Sequence, residues 1–181
     1  MRSDTARDWS QQDARLTRLG WRDRVLLAPM SGVTDRPFRD HIRSLGQGQV
    51  VTEMIASEAA IREIKDSRKL NQAIDDEPGI IVQLAGTEPA LIAEAARMME
   101  ARGAHTIDLN FGCPARKVVH KASGSALMRD EALCGAIFDA VRAAIDVPLT
   151  VKMRLGWDDD SFNAPKLAAL AERAGLDGIT V

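Results

Sequence analysis

Short apolar runs alternate with longer amphipathic segments along nearly the whole chain, and this alternation limits the fold more than any other feature. The runs fall at residues 25–28, 50–52, 80–84, 106–109, 149–151 and 178–181. They are rich in Val, Ile and Leu and almost continuous, as strands covered on both faces in a parallel sheet are. The spacing between them predicts helices over 37–45, 57–73, 87–102, 130–144 and 161–174. Thr87 and Asp130 stand where N-caps belong, and Gly46, Gly103 and Gly175 stand just past helix ends.

Strands alternating with helices specify an α/β fold, either a doubly wound sheet or a TIM (β/α)8 barrel. No Gly-x-Gly-x-x-Gly follows the first run, which weakens the dinucleotide-binding alternative. Chemically distinctive residues follow run after run: Pro29-Met30-Ser31, Glu53-Met54, Gln83, Asn110 and Lys152-Met153-Arg154. Such residues converge on one place when the sheet closes, so the expected fold is a barrel of which this chain covers the first six strands. The last run, ending at Val181, carries no turn or cap, and a fragment of a longer barrel protein is expected. Residues 1–13 are polar and lack a period; they are expected to form an N-terminal extension, with the barrel domain occupying 14–181.

Charge and cysteine content narrow the functional classes. The net charge of −2 gives no overall basic field of the kind that nucleic-acid binders display. Two cysteines, Cys113 and Cys134, make no disulfide framework, and three scattered histidines make no zinc pattern. With neither a leader pattern nor a long apolar span, a cytoplasmic protein with reduced thiols and no membrane contact is expected.

The densest chemistry lies after the fourth run. Residues 109–129 contain no Asp or Glu but do contain Arg116, Lys117, Lys121 and Arg129. A long basic loop at the catalytic face suits a polyanion, though a solvated surface loop has the same composition. Cys113 sits here between Gly112 and Pro114, whereas Cys134 falls inside a helix, where packing is the expected role. Glu53 reads equally as a buried-side carboxylate or as half of a structural ion pair. His41 and His105 read as structural, and His120 as a loop contact.

The run from Leu27 to Arg39, Leu-Ala-Pro-Met-Ser-Gly-Val-Thr-Asp-Arg-Pro-Phe-Arg, resembles the opening motif of tRNA-dihydrouridine synthases. Val51-Thr52-Glu53-Met54, Val82-Gln83-Leu84-Ala85-Gly86, Asp108-Leu109-Asn110-Phe111-Gly112-Cys113-Pro114 and Val151-Lys152-Met153-Arg154 are similar to later motifs of that family, in order. Gly124-Ser125-Ala126-Leu127-Met128 fits as well. The spelling is nearest the bacterial B-type branch, departing from it at Phe111, where Met or Leu is usual, and at Ser31, where Ala is usual.

The resemblance implies an enzyme that uses FMN and NADPH to reduce the C5=C6 bond of a uridine in tRNA to 5,6-dihydrouridine. It implies that Cys113 is the proton donor to C5. It implies that Lys152 sits near the flavin pyrimidine edge, that Gln83 bonds the ring, and that Pro29, Met30 and Ser31 lie along it. Asn110, Arg154, Arg116 and Lys117 are candidates for holding the RNA, and a uridine flipped from its stack is expected at the mouth. In the family a C-terminal helical domain supplies much of the tRNA contact and the last strands supply the FMN phosphate site; neither lies in these residues. Two other readings stand beside this one: an FMN barrel oxidoreductase acting on a small pyrimidine, as dihydroorotate dehydrogenases do, and an inactive RNA-binding fragment. A monomer is favoured.

Overall fold

The computed structural model describes residues 16–17, 19–21, 25–46, 48–58 and 77–181. The polar extension over 1–13 and nearly all of the helix expected over 57–73 lie outside them.

The described elements follow the expected alternation. Strand β1 (Leu26–Leu27) leads to α1 (Arg36–Leu45), then β2 (Gln49–Val50), β3 (Ile55–Ala56) and β4 (Ile81–Ala85). Helix α2 (Pro89–Glu100) precedes β5 (Thr106–Phe111). The long basic loop then folds into α3 (Arg116–Val119) and a 3-10 turn (Gly124–Arg129). Helix α4 (Glu131–Arg142), β6 (Leu149–Met153), α5 (Ala164–Ala174) and β7 (Gly178–Thr180) complete the order.

Every strand pairing is parallel, and neighbours in space are neighbours in sequence. Val51 bridges Ile81 while β3 also pairs with β4, so residues 49–56 fill one wall position, interrupted around Glu53 and Met54. The order never reverses, as it would in a doubly wound sheet. The wall also curves. One cavity of about 70 Å³ is lined by Leu26, Val51, Ile81, Asp108, Thr150 and Thr180, one residue or more from each of the six wall positions. Strands about 4.8 Å apart would carry the edges of a flat sheet too far apart for a cavity of that size to touch both. This is the wall of a (β/α) barrel over its first six strand positions.

The two faces of the wall differ in chemistry. Val82, Leu84, Ile107, Leu109, Phe111, Leu149, Val151 and Met153 belong to one apolar core with the inner faces of α2, α4 and α5. Ala93, Ala95 and Ala96 keep α2 close to the sheet, and Phe111 stacks on Phe138 of α4 with ring centroids 5.2 Å apart. The opposite face, toward the barrel axis, carries Gln83, Asp108, Asn110, Thr150 and Lys152. The strands therefore alternate, and only their helix-facing half is continuously apolar.

Two helix starts differ from the sequence expectation. Thr87 does not cap α2: Pro89 takes the first helical turn and leaves Glu88 at the boundary, without a side-chain cap bond. Helix α5 begins at Ala164 rather than 161, because Ser161 is held in a turn by Asp158 Oδ1 at 2.5 Å. The expected Asp130 cap forms, accepting the Leu133 N–H at 2.9 Å, and Asp35 caps α1 through Phe38 N at 3.0 Å. Gly175, at φ +82°, ends α5 in the left-handed conformation that glycine adopts without steric penalty.

Candidate active site

Strand register determines which side chains meet at the C-terminal end of the wall. Gln83 pairs with Asp108, and Asp108 with Thr150, placing the three in one row. Asn110 pairs with Lys152, and Lys152 with Thr180, one layer nearer the mouth. Pro29, Met30 and Ser31 follow β1, and Cys113 follows β5. The residues singled out at successive strand ends thus gather at one end of one curved wall.

The first row is a hydrogen-bonded chain. Thr150 Oγ1 donates to Asp108 Oδ1 at 2.6 Å, and Gln83 Nε2 donates to Asp108 Oδ2 at 2.7 Å. Asn110 Nδ2 donates to Gln83 Oε1 at 2.7 Å. Asn110 Oδ1 then accepts two backbone N–H groups, from Gly112 at 3.2 Å and Cys113 at 2.9 Å. Burial pushes the Asp108 carboxyl above the usual carboxylate range, against the downward pull of the Thr150 and Gln83 bonds and of the Lys152 charge. Sequence gives Asp108, although it opens a family-like motif, and Thr150 no individual role, because both sit inside apolar runs, as do many structural polar residues.

Gln83 is only 1% exposed, and its backbone N–H is bonded to Thr52 Oγ1 at 3.1 Å. Its side chain keeps one N–H and one lone pair for a ligand. Asn110 has less to offer, since its second N–H meets Met54 Sδ at 3.7 Å, the weakest of its bonds. Lys152 is half-buried beside them.

Cys113 is half-buried in a turn held from both sides. Its N–H is bonded to Asn110, and its carbonyl accepts the Ser125 N–H at 3.0 Å. Cys134 differs: it is fully buried, its Sγ lies 3.1 Å from Leu127 O, and burial pushes its thiol up to about 12.

The loop after β1 is also fastened. Thr34 closes onto Met30 O through its N–H at 2.9 Å and its hydroxyl at 3.2 Å, and the Gly32 N–H donates to Glu53 Oε1. Glu53 therefore braces this loop through a backbone bond. Arg39, buried and paired with Glu77 at 2.6 Å, donates to Thr34 O at 2.6 Å. Met30 remains 39% exposed at the loop's crest.

The basic candidates divide. Arg116, His120 and Arg154 line one cleft of about 180 Å³, with Pro114 and Trp157 as its walls, directly beside Cys113. Lys117 faces a different cavity together with Lys121 and Gly86, and His120 borders both. Arg129 stacks over Trp157 at 5.3 Å. At the opposite end of the strands a cavity of about 620 Å³ opens among Gly48, Pro78 and His105; Arg43, which lines it, is paired with Glu77. Among the described residues no cluster of three or more His, Cys, Asp or Glu could hold a metal ion, and no helix is long and apolar enough to cross a membrane.

Comparison with known proteins is consistent with this geometry. The family model "Dihydrouridine synthase (Dus)" matches residues 26–181. A probable tRNA-dihydrouridine synthase of Rickettsia bellii is 57% identical over 158 residues, covering 87% of this chain and 48% of that protein. The tRNA-dihydrouridine synthase B of Pseudomonas aeruginosa is 52% identical over 160 residues, covering 88% and 48%. The chain thus spans about half the length of the curated relatives it matches. Among solved structures, a nitroalkane oxidase from Streptomyces ansochromogenes aligns over 92% of this chain and 66% of its own, with 15% identity and a TM-score of 0.39.

Proposed function

The chain belongs to the dihydrouridine synthase family, and from that premise we propose that its protein reduces uridine in tRNA to 5,6-dihydrouridine, with FMN as cofactor and NADPH as reductant. The observation that carries this reading is the placement of Cys113. It is a half-buried thiol at the mouth of a barrel wall, held by Asn110 in the turn after β5 and flanked by an arginine-lined cleft.

The mouth suits a flavin ring. A half-buried ammonium on Lys152 stands near a spare N–H of Gln83, and the crest of the 29–31 loop lies open beside them. Lys152 would hold the electron-rich pyrimidine edge, Gln83 would bond the ring, and Pro29, Met30 and Ser31 would lie along its face. FMN, when bound, supplies the hydride that uracil takes at C6. The carbanion character left at C5 then calls for a proton. A thiol can give one as a general acid, and Cys113 is the thiol that stands at the mouth. Arg154 and Arg116, on one cleft beside Cys113, would grip the RNA around the flipped uridine, and Lys117 would contact it on the far side of α3. With tRNA as substrate the reaction belongs in the cytoplasm. We read the protein as a monomer.

The test uses the full-length protein. It should purify with flavin absorbance and form dihydrouridine in unmodified tRNA when given NADPH. Free uracil, uridine or orotate should not substitute for tRNA. Faster turnover of a small pyrimidine than of tRNA would replace this reading with that of a small-molecule oxidoreductase.

A further inference from the structure

We propose that Asp108 is a positioning residue that sets the orientation of two side-chain amides and through them fixes the backbone N–H of Cys113. The proposal rests on the reading of Cys113 as proton donor, and it names a residue three links away from it.

Both carboxylate oxygens of Asp108 act as acceptors, one from Thr150 and one from Gln83. The Asp108 oxygen that faces Gln83 accepts whether the carboxyl is ionised or carries its proton on the Thr150 side, and it admits only one orientation of the Gln83 amide, with Nε2 toward Asp108. Gln83 Oε1 must then face Asn110, which accordingly presents Nδ2 to it. That choice turns Asn110 Oδ1 toward the Gly112 and Cys113 N–H groups. Each link forces the next because an amide has one donor end and one acceptor end. Were Gln83 reversed, Asn110 would have to reverse as well, and two backbone donors of the Cys113 turn would face an NH₂ group. The Gln83, Asp108 and Thr150 side chains are buried, so water is poorly placed to repair a reversed link.

The experiment reads the Cys113 turn itself. The full-length protein is treated with iodoacetamide at fixed pH, and alkylation of each cysteine is followed by peptide mass spectrometry, with dihydrouridine formation measured in parallel. Asp108→Leu removes the acceptor at similar size. It should speed Cys113 alkylation by about tenfold, the factor that corresponds to about 1.4 kcal/mol, within the range for a buried polar group losing its partner. Asp108→Asn should restore most of the protection, because its Oδ1 serves Gln83 while its NH₂ donates to a turned Thr150 hydroxyl. Asn110→Leu should match Asp108→Leu, and the double variant should be no faster than either single one. Cys134 reports folding: it must stay unreacted. An unchanged Cys113 rate in Asp108→Leu with Cys134 protected would overturn the proposal, as would additive effects in the double variant. Because alkylation needs neither tRNA nor FMN, absent tRNA chemistry with an intact alkylation pattern would sink only the functional reading. If Asp108→Leu exposes Cys134, the comparison of Asp108→Asn with Asn110→Leu, both close in size to the native residues, decides: a rate equal in the two would refute the relay.

Discussion

A methyl group on Gly124 would lie 2.6 Å from the carbonyl oxygen of Cys113 and 2.8 Å from Val118 Cγ1. Gly124 also has φ +63°, which L side chains rarely adopt. Gly124→Ala should therefore cost about 1–3 kcal/mol from backbone strain alone, read by urea unfolding. Its loss of dihydrouridine formation should exceed what unfolding accounts for, because the overlap pushes on the turn that holds the thiol. A variant with stability reduced and turnover intact would show that the Cys113 turn tolerates displacement.

The two cysteines should separate cleanly. General acid catalysis contributes about 10²–10⁴-fold, so Cys113→Ala should lose that much in tRNA-dependent turnover. NADPH should still bleach the flavin absorbance at a near-normal rate in that variant, because that half-reaction needs no proton delivered to uracil. Cys134→Ala should keep turnover and lose only packing. At pH 8 iodoacetamide should label Cys113 and spare Cys134, whose thiol burial pushes up to about 12. Labelling in the reverse order would mean that the reactive cysteine is the helical one.

Sequence alone disclosed the barrel wall because helix-facing residues such as Val82, Leu84, Leu109 and Val151 are apolar whatever the inner face holds. It disclosed the strand ends too, since Pro29, Gln83, Asn110 and Lys152 are unusual exactly where a barrel concentrates chemistry. The inner row was hidden. Gln83, Asp108 and Thr150 stand at 25- and 42-residue separations along the chain, and only parallel register brings them into one line. Asn110 shows the same limit: its type suits a base edge, yet its oxygen is taken by the Cys113 turn and one N–H by Gln83. Thr87 failed as a cap because the proline two residues later, not the preceding hydroxyl, settles where α2 begins.

The Phe111–Phe138 stack ties β5 to α4 directly beneath the Cys113 turn. Both rings are fully buried, so Phe138→Ala should leave a cavity and cost about 3–5 kcal/mol. Phe138→Leu should cost clearly less, since it refills part of the volume. Urea midpoints at constant slope measure both. A loss under about 1 kcal/mol for the alanine variant would mean that the wall collapses readily onto α4, against the close packing seen there.

Asp108 gives stability a pH dependence of definite sign. Burial raises its folded-state value above the unfolded reference of about 3.9. Between the two values the native chain holds the proton while the unfolded chain has released it, so stability falls as pH rises through that window. The contribution is fully present below the unfolded value and lost once pH passes the folded one. Asp108→Asn cannot titrate, so the wild type should be favoured most at the acid end, and its advantage over the variant should shrink with rising pH before levelling. Urea unfolding of both proteins in steps from pH 3.5 to 7 isolates the difference from every other carboxylate, a comparison that rests on the two chains sharing all those groups. If the wild-type advantage grew with pH instead, the bonds from Thr150 and Gln83, with the charge on Lys152, would outweigh burial, and Asp108 would be a carboxylate stabilised in its ionised form.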